Sequence, residues 1–282
     1  ESPGTAVIEA DAGLGIMLGR HAMQLAIQKA KAVGSGFVTM RNSGHPAAVG
    51  HFAMIATEFD MIGVAATCGG LAVPPTFGAE KRLGTNPIGF AAPAGREAPM
   101  LFDVATTTIA LNKVTLAQRV GAMLLPGWIA DGNGTPIMEE IAPPPIGEFM
   151  LLPLGGTREQ GSHKGYGFAL MTEILSALLA DDVPAMLEED PEKAMHKSYF
   201  IAYDIAAFTD IKIFKGRMDM TLKVLRETPP AIGAERVVYP GLIEHEEILD
   251  RRRNGIPLDP EVVRWFSSIR EDYDVPELEL VQ

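Results

Sequence analysis

The sequence holds a single cysteine, Cys68, in 282 residues. That excludes an internal disulfide and a site built from several thiolates. Basic charge is also scarce: 24 Lys and Arg stand against 36 Asp and Glu, a net charge of −12. Such a surface repels a phosphate backbone, so nucleic acid is excluded as a partner. No apolar run reaches the roughly 18–20 residues that a membrane span needs, and no signal peptide is visible. A reducing, soluble compartment, the cytoplasm, is the expectation. The motifs GxxxxGK[ST], HExxH and GxSxG are all missing. "GLGIMLG" at 13–19 is GxGxxxG, one residue longer than the dinucleotide fingerprint. No strand reads out before it and no acid closes a strand about 20 residues on, which argues against a Rossmann fold. The opening "ESPGTAVIEADAG" has no initiator Met, helix or cap, and reads as a start inside a longer chain.

What is present is a globular balance, 47% apolar and 21% charged residues. No linker or repeat divides the chain. "GRHAMQLAIQKAKAVG" sets Ala22, Met23, Ala26, Ile27 and Ala30 on one helical face and ends at Gly34. "GFVTMR" follows as a strand, "AVGHFAMIATEF" as a helix and "MIGVAAT" as a strand, an α/β alternation. From 73 to 160 the chain is rich in turns, with short strands "IGFAAP" and "MLFDVA". A helix over 166–180, a strand "SYFIAYDIAAF" and helices at 215–226, 244–254 and 259–269 complete the reading. The run Arg251–Arg253 ends a helix that begins with acids, so the helix dipole accounts for it.

Four stretches carry candidate chemistry. In "RNSGHPAAVGH" (41–51), His45 lies between Gly44 and Pro46 at the carboxyl end of a strand, where open α/β sheets place ligands. A neutral imidazole there can exchange a proton near neutral pH. His51, inside the next helix, reads as structural. In "LGTNPIGFAAP", Asn86 precedes Pro87 and marks either a tight turn or a cleft wall. In "FDVATTTIALNK", Asp103 interrupts an apolar strand; it suits hydrogen bonds to a ribose, the orienting of a histidine, or a strand-end cap. "GSHKGYG" (161–167) puts Lys164 on a glycine loop ahead of the 166–180 helix, parts that suit anion binding.

Together with "YPGLIEHEEILDRRRNGIPLD", these stretches resemble, in order and spacing, the malate/L-lactate dehydrogenase superfamily of the sulfolactate dehydrogenase type. That group includes ureidoglycolate, diketogulonate and piperideine-carboxylate oxidoreductases. The resemblance implies a three-layer α/β/α fold with a mixed sheet, unrelated to the Rossmann fold, and a homodimer. It implies one domain over 1–282, with a cofactor cleft formed by 41–51, 83–113, 161–167 and 240–244. The implied activity is NAD- or NADP-dependent hydride transfer, with NAD favoured, on a small 2-hydroxy or 2-oxo acid; a cyclic imine is the substrate in one branch. His45 matches the family's proton-carrying histidine. Asp103, Val104 and Ala105 match a cofactor-contacting strand end, the acid alternatively orienting the histidine. His163 with Lys164, Gly241, Thr67 to Gly69, and Thr85 with Asn86 match further cofactor contacts.

The departures are specific. The family's Phe-Gly after the histidine is replaced by Pro46 and Ala47, and the acid after Pro-Gly by Leu242 and Ile243, with Glu244 one step later. The family's N-terminal helical segment, with its Ser-His-Gly motif and following Arg, has no counterpart here. The alternative to an active enzyme is therefore an impaired relative that keeps only the nucleotide cleft.

Overall fold

Val38 and Met40 on one strand are two residues apart and Met61 and Ala65 on another are four apart, so each pair faces the same side of a pleated sheet. The structure is a computed structural model that describes residues 1–278, except the side chains of Glu192 and Glu271. In it β1 (Thr5–Glu9) leads through α1 (Gly15–Val33) to β2 (Ser35–Ser43), and α2 (Val49–Thr57) leads to β3 (Met61–Cys68). The apolar residues of α1 recur at helical spacing, and Ala22, Met23, Ala26 and Ile27 join Val38, Met40, Phe52, Ala65 and Phe200 in the main core. Two glycines let these helices lie against the strands. A Cβ on Gly36 would sit 1.9 Å from the Ala26 carbonyl oxygen, and one on Gly63 would sit 2.1 Å from that of Ala53.

Two further strands, β4 (Ile88–Ala92) and β5 (Met100–Val104), follow before α3 (Leu111–Val120). After the two-residue ladder of β6 (Ile129–Ala130) and β7 (Met150–Leu151) come α4 (Ser162–Ser176) and β8 (His196–Asp204). The sheet order is β1-β2-β8-β3-β4-β5. Only β1 and β2 run parallel; every other pair is antiparallel. The sheet is mixed, with α1 and α2 on one face and α4 on the other, which makes three layers. Residues 105–160 wrap a second apolar cluster, in which Ile109, Val114, Leu124, Ile129, Phe149 and Leu151 meet Ala169 of α4. The chain then forms α5 (Ile211–Arg226), α6 (Leu242–Asn254) and α7 (Pro260–Tyr273). Asp219 of α5 accepts the N–H groups of Gly95, Arg96 and Glu97, fixing the turn between β4 and β5.

Three sequence expectations need correction. A strand, β1, does precede "GLGIMLG", and α1 begins inside that stretch, at Gly15. Its single parallel β1–α1–β2 unit is continued by antiparallel strands, so the fold is still not Rossmann. A helix, α3, follows the threonines of "FDVATTTIALNK". Finally, α4 starts at Ser162, so His163 and Lys164 lie in its first turn and not on a loop. The close helix–strand approach has a measurable consequence. Gly63→Val forces α2 off β3 and is expected to lower stability by about 1–3 kcal/mol in urea unfolding, whereas Gly216→Ala, in open space, does not.

Candidate functional site

Strand register brings distant residues to one edge of the sheet. Ser43 at the end of β2 pairs with His196 at the start of β8, and Cys68 at the end of β3 pairs with Lys197. Beside them β4 begins at Ile88, paired with Val104 at the end of β5. The loops leaving these ends enclose a cavity of about 330 Å³. Its polar groups come from His45, Thr85, Asn112 and His196, and its apolar wall from Leu71, Ala72, Ala105 and Leu111, with Gly69 at the floor. Four of the sequence-derived residues, His45, Gly69, Thr85 and Ala105, thus meet here. Thr106 holds Thr85 in place, since both its N–H and its hydroxyl donate to the Thr85 carbonyl at 2.9 and 3.0 Å.

His45 stands two residues beyond the end of β2, and Ala47 has a positive φ of 62°. That turn aims the Ala47 N–H at His45 Nδ1, 2.9 Å away. With Nδ1 accepting, the neutral ring carries its proton on Nε2. The His45 ring also meets the ring of His196 edge to face, with centroids 4.9 Å apart and an 80° angle. The sequence reading missed His196, because it began the strand two residues late, at Ser198. Burial, and then the charge of His45, bring the His196 pKa down from 6.5 to about 4.

A second cavity of about 450 Å³ lies on the other side of the His45–His51 segment. Asp103 and Gly241 line it, with His51, Glu244 and His245. Asp103 Oδ2 accepts the Gly50 N–H at 2.9 Å, and no hydrogen bond among the described residues links Asp103 to His45. Asp103 therefore caps the start of α2 and does not orient the histidine. Burial pushes its carboxyl upward against the pull of Gly50, and the Glu244 charge adds to the rise. His51, read from sequence as structural, is exposed on this cavity. Val104 joins the two sites as the strand residue between Asp103 and Ala105.

His163 and Lys164 are exposed in the first turn of α4, and Arg158 Nη1 donates to His163 Nδ1 at 3.1 Å. The N–H groups of Ser162, Lys164 and Gly165 already donate to the carbonyls of Thr157, Gly161 and Leu154. An anion here therefore meets side-chain charge and not those helix N–H groups.

Thr67 and Asn86 turn away from the cavity. The Thr67 hydroxyl donates to the Lys197 carbonyl at 2.9 Å and accepts from Ser198. Asn86 is 1% exposed and donates to Glu173 Oε1 and to the Ala169 carbonyl, locking the β4 entry loop to α4. Cys68 is buried; burial first, then the Glu173 charge, push its thiol well up, so it is no nucleophile.

The mixed-sheet fold matches that of malate and sulfolactate dehydrogenases of known structure. The chain belongs to the malate/L-lactate dehydrogenase family, whose sequence pattern it matches over residues 1–266. It is 35% identical over 287 residues to a malate dehydrogenase of Pyrococcus abyssi, covering 99% of this chain and 77% of that protein. The sulfolactate dehydrogenase of Methanocaldococcus jannaschii superposes with a TM-score of 0.83 at 35% identity, over 98% of this chain and 77% of the other. A ureidoglycolate dehydrogenase (NAD(+)) of Escherichia coli is 28% identical over 273 residues, covering 94% of this chain and 74% of its own length.

The depressed His196 pKa ties stability to pH. Between pH 6.5 and about 4 the unfolded chain binds a proton that the folded chain refuses. The neutral ring's contribution is thus present above pH 6.5 and lost as pH falls through that window. Urea unfolding of His196→Phe is expected to show a shallower loss between pH 6.5 and 4 than the native chain shows; parallel curves would refute it.

Proposed function

We propose that this chain is a nicotinamide-dependent oxidoreductase that interconverts small 2-hydroxy and 2-oxo acids. The observation that carries the reading is His45, held by a backbone N–H on the wall of a small, partly apolar cavity, in a chain of the malate/L-lactate dehydrogenase family. The two cavities flank the strand end Asp103–Ala105, which suits an extended molecule with a ring at each end. A bound nicotinamide supplies the hydride chemistry at C2 of the acid. The chain's own residues do the rest. His45 Nε2 exchanges the proton at the C2 oxygen, while Leu71, Ala72 and Leu111 exclude water.

Asp103 and Glu244 line the second cavity, and none of its described lining residues is Lys or Arg. Two acids there welcome ribose hydroxyls and oppose a 2′-phosphate, which supports NAD over NADP. Lys164, with Arg158, offers charge to the pyrophosphate. Residues 1–282 act as one enzyme domain in this reading. No helix among the described residues is long and apolar enough to cross a membrane, and the cytoplasm is the proposed location.

We also infer a homodimer. Leu170, Met171, Ile174 and Leu178 stand on or just beyond α4 at helical spacing, each 40–51% exposed. A stripe of this kind on a helix that already buries its opposite face calls for a second surface. Light scattering at micromolar concentration should return twice the mass of one chain; the mass of a single chain would overturn this.

His45→Ala and Lys164→Ala should separate turnover from binding. His45→Ala is expected to lower turnover about 10²–10⁴-fold with little change in dinucleotide affinity. Lys164→Ala is expected to weaken that affinity roughly ten- to a hundredfold, without loss of folding stability. Steady-state assays on a panel of 2-oxo acids, with calorimetric titration of NADH and NADPH, read both. Full turnover in His45→Ala would remove the proton carrier and the reading with it.

A further inference from the structure

The stretch "GLGIMLG" at 13–19 is no dinucleotide fingerprint, yet its first two glycines stand where a side chain could not. The turn after β1 runs alongside the end of β2 and is bonded to it by backbone alone. The N–H groups of Ala10 and Ala12 donate to the carbonyls of Arg41 and Asn42 at 3.0 and 2.9 Å. The Gly44 N–H donates to the Gly13 carbonyl at 2.8 Å. Ala12 and Asn42 hold positive φ angles, 57° and 52°, within this match. The pairing thus continues past both strand ends and reaches the residue before His45.

Gly15, the first residue of α1, carries the contact further. A Cβ there would lie 2.1 Å from the Gly44 carbonyl oxygen, 3.0 Å from the Pro46 nitrogen and 3.1 Å from the Gly44 carbonyl carbon. These atoms are the backbone on either side of His45, and they cannot swing aside as the end of a side chain can. Pro46 adds stiffness, because its ring fixes its own φ and keeps His45 out of the helical region. The His45 backbone is therefore seated against α1 on both flanks. Its ring is set in turn by the Ala47 N–H, 2.9 Å from Nδ1.

We propose that Gly15 is a positioning residue for His45. The bare start of α1 fixes the 44–47 turn, and the turn fixes the ring with Nδ1 accepting and Nε2 protonated. The assignment rests on the reading of His45 as proton carrier above. Any side chain at position 15 must push Gly44 and Pro46 outward, which displaces the imidazole and loosens the Ala47 bond. A neutral imidazole without that bond shares its proton between both nitrogens.

NMR that correlates ring nitrogens with carbon-bound protons reads the tautomer of each histidine in alkaline solution, and the signal missing from His45→Ala identifies His45. The native chain is expected to show the Nε2–H tautomer alone. Gly15→Ala is expected to show both tautomers and to lower kcat about ten- to a hundredfold, with KM for the dinucleotide within about twofold of native. Gly36→Ala is the matched control: its Cβ would meet the Ala26 carbonyl oxygen at 1.9 Å, between α1 and the other end of β2. It is expected to lose stability in urea as Gly15→Ala does, and to keep the native His45 signal. Gly13→Ala, which crowds the Ala10 carbonyl and Leu18 at 2.9 Å, moves His45 in the same direction and serves if Gly15→Ala does not fold. A mixed tautomer in the native chain, an unchanged His45 signal in the folded variants at 13 and 15, or an equal change in Gly36→Ala overturns the assignment. A shifted tautomer with native turnover upholds the positioning role and overturns the proton-carrier reading instead.

Discussion

The structure depends on the antiparallel insertion of β8 between β2 and β3. Val38 pairs with Phe200 on one side and Ala65 with the same Phe200 on the other. This one strand closes the apolar face against α1 and α2, gives α4 a surface to lie on, and delivers His196 to the strand ends that carry His45 and Gly69. Without that register the two imidazoles are remote in the chain and have no reason to meet. A slip of one residue would turn Phe200 out of the core and exchange His196 for Lys197 at the cavity.

Much of this frame was legible in the sequence, because its elements are long and strongly periodic. The helix around Ala22–Ala30 and the strands 61–67 and 88–93 appear close to where the pattern puts them, while the helix read at 166–180 runs from Ser162 to Ser176. β1 was missed because five residues of mixed exposure make too short an alternation to read. α3 was missed although Leu111, Val114 and Ala117 keep helical spacing, because the preceding threonines suggest extended chain. The site was legible only in part. His45 could be found, since Gly44 and Pro46 mark an exposed turn after a strand. His196 could not, because its value lies in pairing with Ser43 across most of the chain. Asp103 and Asn86 make contacts that no sequence window shows: Asp103 accepts the Gly50 N–H at the start of α2, and Asn86 donates to Glu173 of α4.

Electrostatics around the site run against the protein as a whole. A net charge of −12 opposes an anionic substrate at long range. No Asp or Glu is among the described residues lining the His45 cavity, and Arg158 and Lys164 stand exposed by the start of α4. Two acids, Asp103 and Glu244, line the second cavity instead.

The late position of β8 also governs how the chain is made. Synthesis proceeds from the N-terminus, so β2 and β3 leave the ribosome long before residues 196–204 do. Until then both strands present unpaired edges, and contacts of such sequence separation form slowly. Newly made chains therefore pass through a stage with open, apolar strand edges, the state in which chaperone capture and edge-to-edge aggregation compete with closure. The arrival of one nine-residue strand ends that stage.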